Sequence, residues 1–135
     1  MNMGGSKSLY YFFSTNVKRI EQGAWRPNTD ICETKTHIVV SLEVPGVEVE
    51  DISVMEYGDR IVVRGVRRPQ TARGALHYHQ IEIVCGEFEK EIVLSGPLVG
   101  AEVEAVLAKG ILSLKISKKK SAADSTERSI HIEAE

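Results

Sequence analysis

Two histidines one residue apart, His77 and His79, are the residues of this 135-residue chain best spaced to bind a metal. On an extended segment they share a face, and a third ligand would complete a site. Two ordinary histidines beside a contact surface are the commoner outcome of such a pair. Catalysis has less to work with. No nucleophile stands at a credible spacing from a base, no glycine-rich loop could cradle a phosphate, and no paired carboxylates occupy a distinctive context. The Asp and Glu residues are spread over strand faces and turns, as solvated carboxylates are. Cys32 and Cys85 are far apart without metal-like spacing and read as buried or half-buried free thiols in a reducing compartment. The chain is expected not to be an enzyme, and neither a cofactor nor a metal is expected.

Binding chemistry is easier to find, and it is apolar. Near the C-terminus the polar run Lys118-Lys119-Lys120-Ser-Ala-Ala-Asp-Ser-Thr reads as a flexible tether, after which apolar residues return once, as Ile130-His131-Ile132. The two isoleucines lie on one side of an extended chain, with nothing nearby to form a core. Such a pair suits a sheet edge or a groove elsewhere, unless it is a frayed end. Near the N-terminus, Leu9-Tyr10-Tyr11-Phe12-Phe13 follows a Gly/Ser-rich start. It is either a sticky terminus that tucks onto the domain or a contact surface for another subunit or an unfolded client.

Both features need a scaffold. The chain is 42% hydrophobic and 27% charged, with a formal net charge of -2. That balance suits one globular domain and gives no sign of nucleic-acid binding. The apolar run Leu9 to Phe13 is too short for a signal-peptide core or a membrane span, so a cytoplasmic location is expected.

Period-two alternation then predicts strands over Thr29–Glu33, His37–Val44, Asp51–Tyr57, Arg60–Val66, Leu76–Val84 and Phe88–Leu94. In the fifth of these, His77, His79, Ile81 and Ile83 share a face. Pro45-Gly46 reads as a type II turn and Gly58-Asp59 as another turn. Arg67 to Ala75, with three arginines, Pro69 and Gly74, reads as a long basic loop.

The stretch from Val103 to Ile116 admits two readings. As a helix, Val103, Val106 and Leu107 share a face and Gly110 caps the end. As a hairpin, Val103, Ala105 and Leu107 alternate, Lys109-Gly110 turns the chain, and Leu112, Leu114 and Ile116 alternate on return. The strict alternation of the return arm favours the hairpin. Many short alternating strands without a convincing helix predict an all-β, immunoglobulin-like sandwich.

In order and spacing, these pieces resemble the small heat-shock proteins of the α-crystallin family, of the type found outside animals. The matching residues are Trp25-Arg26-Pro27 with Asp30-Ile31 and Glu33, Val44-Pro45-Gly46-Val47, Asp51-Ile52-Ser53-Val54, Val62-Val63-Arg64-Gly65 and Gly86-Glu87-Phe88. The family's A-x-x-x-[N/K]-G-[V/I]-L signature matches Ala105, Gly110, Ile111 and Leu112, and its I-x-I motif matches Ile130-His131-Ile132. The resemblance implies an N-terminal arm over 1–24, an α-crystallin domain over 25–116 and a C-terminal extension over 117–135. It implies ATP-independent holding of unfolding client proteins by dimers assembled into larger oligomers, with no nucleic acid or membrane as partner.

It also assigns roles. The loop Arg67–Leu76, with Arg67, Arg68, Arg73 and Leu76, would carry a short strand that pairs with a partner's sheet. Ile130 and Ile132 would enter a groove at the sandwich edge of a neighbouring dimer. By position that groove would lie between Ile52–Met55 and Phe88–Leu94, lined by Val54, Ile92 and Leu94. A tether from Ser117 to Ser129 could reach on the order of 40 Å. Leu9, Tyr10, Tyr11, Phe12 and Phe13 would bind clients. Two departures stand out: Lys90 replaces the family's usual Arg and loses its bidentate fork, and the N-terminal arm is short. Two other readings are a monomeric co-chaperone or adaptor sandwich acting on one defined partner, and an adhesion module, which the missing export signal disfavours.

Overall fold

The computed structural model describes residues 25–70, 74, 77–119 and 127–135. Nine strands are present among them: β1 Thr29–Glu33, β2 His37–Glu43, β3 Ile52–Glu56, β4 Arg60–Arg67, β5 Gly86–Val93, β6 Val103–Ala108, β7 Ile111–Ser117, β8 Arg128–Ile130 and β9 Ile132–Ala134. One sheet runs β1-β2-β7-β6-β9 and the other β5-β4-β3-β8. Short 3-10 turns at Val49–Asp51 and Gly96–Leu98 are the only helical pieces among the described residues. The all-β sandwich is therefore the fold.

The alternating residues build its core. Val40 and Leu42 from β2, and Leu112, Leu114 and Ile116 from β7, are completely buried. They face Ile52 and Val54 of β3, Ile61 and Val63 of β4, and Phe88 and Ile92 of β5 in one cluster. Fully burying each such aliphatic side chain contributes roughly 1.5–3 kcal/mol.

The hairpin reading of Val103–Ile116 holds. β6 and β7 pair in the register Ala105↔Leu114, Leu107↔Leu112 and Ala108↔Ile111. Lys109 and Gly110 both have positive φ, 52° and 80°, the pattern of a type I′ turn, which matches the twist of the strands it joins. At Pro45-Gly46, Gly46 has φ 82° and Val47 N–H donates to the Val44 carbonyl at 3.2 Å, as in a type II turn.

The fifth expected strand does not form. Residues 77–85 carry no strand, and Ile81 and Ile83 are 70% and 77% exposed. Alternation alone is insufficient; a strand also needs an edge to pair with. Within the chain β4 pairs directly with β5 along its whole length, from Arg60↔Val93 to Arg67↔Gly86. The outer edge of β5 is engaged by Trp25, whose backbone N–H donates to the Glu87 carbonyl at 3.0 Å. Cys32 also differs from expectation. It is exposed, because it sits on the edge strand β1, and Cys85 is half-buried.

Candidate tail groove and subunit-contact surface

The tail lies across the sandwich edge formed by β3 and β6. In β8, Ile130 pairs opposite Val54, Ser129 opposite Met55 and Arg128 opposite Glu56. At His131 the chain crosses to the other sheet. There β9 runs parallel to β6, with Ile132 beside Ala105 and Ala134 beside Leu107. Glu135 N–H then donates to the Leu107 carbonyl at 2.9 Å. Ile132 is buried in the main core cluster and Ile130 packs against it. Each isoleucine thus serves a different sheet, and the intervening residue spans the gap between them.

Of the residues assigned to this groove from sequence, Val54 meets the tail and Ile92 and Leu94 do not. β5 occupies the opposite edge of its sheet, with β4 and β3 between it and β8. Ile92 and the adjacent Leu94 are instead buried in the core. The second wall is β6, with Ala105 and Leu107. The physical reason is topology: apart from the tail strands, β3 ends one sheet and β6 ends the other on the side the tail reaches, whereas β5 ends its sheet on the far side. Gly110 and Leu112 of the signature stretch shape the hairpin behind this wall, and Leu112 is fully buried.

The inner face of the four-stranded sheet carries two charged residues that the expected core left out. Ile52, Val54 and Glu56 share one parity on β3, as do Phe88, Lys90 and Ile92 on β5, and all six are buried. Glu56 is 2% exposed. Its Oε1 accepts a hydrogen bond from Arg128 Nε, and Arg128 Nη2 donates to the Ala101 carbonyl at 3.0 Å. Lys90, 1% exposed, stands across from Val63. Desolvation pushes its amine down to about 7, and the positive charge of Arg26 acts in the same direction.

A second surface lies at the start of the basic loop. Arg67 is its hub. Its Nε donates to the Val84 carbonyl at 2.9 Å, Nη2 donates to the same oxygen, and Nη1 donates to the Pro45 carbonyl at 3.2 Å. Its guanidinium lies 3.9 Å from the centroid of the Trp25 ring, a cation–π geometry. Trp25 Nε1–H donates to the Gly86 carbonyl at 2.8 Å, and its ring meets Phe88 at 5.0 Å. Arg68 makes a two-point contact with Asp51, Nε to Oδ2 at 3.0 Å and Nη2 to Oδ1 at 2.9 Å. That hydrogen bonding lowers the Asp51 pKa below its ordinary value, against a smaller opposing desolvation.

Arg67 and Arg68 therefore hold the base of the loop within the subunit. Beyond them an open pocket of about 470 Å³ is lined in part by Pro45, Arg67, Tyr78, Ile81 and Ile83. Arg73 and Leu76 of the loop, and Leu9, Tyr10, Tyr11, Phe12 and Phe13 of the arm, lie outside the described residues. His77 and His79 are exposed on the strandless segment. Among the described residues, no group of three or more His, Cys, Asp or Glu is arranged to hold a metal, and no helix is long and apolar enough to cross a membrane.

The two-sheet, all-β sandwich is the fold of an α-crystallin domain. The model of the Hsp20/alpha crystallin family matches residues 30–133, and this chain belongs to that family. Spore protein SP21 of Stigmatella aurantiaca is 29% identical over 119 residues, covering 82% of this chain and 70% of that protein. The crystal structure of hspA from Xanthomonas axonopodis superposes with a TM-score of 0.60 at 26% identity, over 73% of this chain and 98% of that one. A small heat-shock protein from Xylella fastidiosa, described as having a distinct high order structure, gives 0.61 at 26% identity, over 74% and 91%. Family and fold support a chaperone role in the stress response.

Proposed function

We propose that the protein is an ATP-independent holdase, working as dimers joined into larger oligomers, and that its tail is the joint. The observation that carries this reading is the seating of Ile130 and Ile132 against β3 and β6. The tail adds one short strand to each sheet edge, a mode of binding that needs no chemistry and no nucleotide. The same groove can take the tail of a neighbouring subunit. When heat or dilution releases tails and arms, the groove and the Leu9–Phe13 cluster become apolar surface that captures exposed apolar segments of clients.

Dimer formation is assigned to the segment after the basic loop. Tyr78, Ile81, Ile83 and Val84 are 58%, 70%, 77% and 53% exposed, on a segment with strand-like alternation that joins neither sheet among the described residues. β1 is the terminal strand of its sheet and carries the exposed Ile31. Pairing of 78–84 from one subunit with the β1 edge of the other would bury both. This reading moves the pairing segment from the Arg67–Leu76 loop to the residues just after it.

A monomeric module acting on one defined partner is the second reading. One observation favours it: the tail here docks on its own domain. Size-exclusion chromatography at micromolar concentration separates the two. Elution as an assembly larger than a dimer supports the chaperone reading, and elution as a monomer would sink it.

A further inference from the structure

The groove described above has two apolar seats, one per isoleucine. A third seat, of different chemistry, lies at the end of β3. Glu56 is in the buried parity of that strand and almost without exposure. Burying a carboxylate is costly unless a cation and hydrogen bonds compensate it. Among the described residues, the cation is Arg128 of the tail, two positions before Ile130. The other carboxylate oxygen, Oε2, is buried with no hydrogen-bond partner among the described residues.

The wall opposite Glu56 is also prepared. Ala101 is buried, and its carbonyl accepts from Arg128 Nη2 at 3.0 Å. One planar guanidinium thus meets a carboxylate with its Nε and a main-chain carbonyl with its Nη2. An ammonium is a single point charge and lacks that fork. Neither Glu56 nor the Ala101 carbonyl belongs to the apolar contact that seats the isoleucines.

We propose that Glu56 and the Ala101 carbonyl form a guanidinium-binding seat, and that the groove selects an extended Arg-x-Ile-x-Ile segment rather than Ile-x-Ile alone. The occupant is the tail of this chain, from the same subunit or from a second copy. Glu56 acts as a specificity-determining residue. It rejects segments lacking the arginine because they would leave its carboxylate buried and unpaired. The inference rests on the reading of the β3–β6 edge as the tail's groove.

The test uses the full chain carrying Ile130→Ala and Ile132→Ala, which weakens its own tail as a competitor, and a fluorescent peptide of residues 127–135 followed by anisotropy. The parent peptide is expected to bind. Peptides with Arg128→Gln or Arg128→Lys are expected to bind about tenfold more weakly, the cost of a lost charged hydrogen bond. On the same chain with Glu56→Gln added, the difference between the Arg and Gln peptides should shrink to about threefold or less, as a double-mutant cycle requires of a direct pair. Equal affinity of the Arg and Gln peptides for the Glu56 chain would overturn the arginine seat and leave the groove intact. Failure of the parent peptide to bind would overturn the groove and the seat together. If Glu56→Gln unfolds the chain, the peptide series on the Glu56 chain decides alone.

Discussion

Ile132 of the tail lies beside Ala105 of β6 in a parallel pairing, although Ile130, two residues earlier, is paired antiparallel with Val54 of β3. One short segment therefore ties the two sheets of the sandwich together at the β3–β6 edge. At the opposite edge Trp25 has the corresponding position, bonded to the backbone of β5 through Glu87 and Gly86. The residues flanking the sandwich complete it.

The tail's role in assembly predicts a change of size. Replacing Ile130 and Ile132 with alanine removes most of the apolar surface that the tail buries, about 2–5 kcal/mol per isoleucine if the seats do not collapse. Native mass spectrometry should then show dimers in place of larger oligomers. An unchanged mass distribution would remove the tail from the assembly mechanism.

The assignment of the dimer contact to residues 78–84 makes a separate prediction. Ile81→Asp with Ile83→Asp places charge on a surface that is exposed in the single subunit and buried on pairing. Monomer stability by thermal melting should change little, within about 0.5 kcal/mol as for other surface substitutions. Sedimentation should show monomers. Dimers persisting in this variant would place the contact elsewhere.

Gly65 tests the packing that holds β4 to β5. A Cβ at this position would lie 2.4 Å from Cζ of Phe88 and 2.9 Å from the Asp51 carbonyl oxygen. Gly65→Ala must displace Phe88, against which Trp25 packs. A loss of about 1–3 kcal/mol is expected, typical of overpacking a core, and denaturant unfolding measures it. No change in the midpoint would mean that the Phe88 ring moves freely.

Lys90 gives a pH dependence of definite sign. Burial lowers its folded-state pKa to about 7, from an ordinary 10.5. Between those values the unfolded chain binds the proton and the folded chain does not. Stability therefore rises as pH increases through that window, and below about 7 Lys90 adds no slope. Lys90→Met lacks this contribution. The melting temperature of the parent should gain on that of the variant between about pH 7.5 and about 9.5 at fixed protein concentration. Identical slopes would mean that Lys90 stays charged in the folded state.

The strands that bury one face were legible from alternation, down to the two-residue turn at Lys109-Gly110, because period two and a glycine turn are local properties. Three features were not legible for the same reason. Leu76–Val84 alternates like a strand, but whether an edge is free for it depends on the pairing of β4 with β5. The second wall of the groove was assigned to Phe88–Leu94, when strand order places Val103–Ala108 there. Glu56 and Lys90 share the parity of the core residues around them, and their charge concealed it. Reading parity before polarity on β3 and β5 would have placed both inside. The spacing of Arg128, Ile130 and Ile132 would then have suggested a partner for Glu56.

The central claim is that this protein holds unfolding proteins without nucleotide. The most direct test is light scattering from a heat-unfolding client enzyme mixed with the purified full-length protein, with no ATP present. Scattering should fall in proportion to added protein and approach zero near a stoichiometric ratio of subunits to client. The client should remain in soluble complexes on size-exclusion chromatography. Scattering that is unchanged at a several-fold excess of a correctly assembled oligomer would contradict the account.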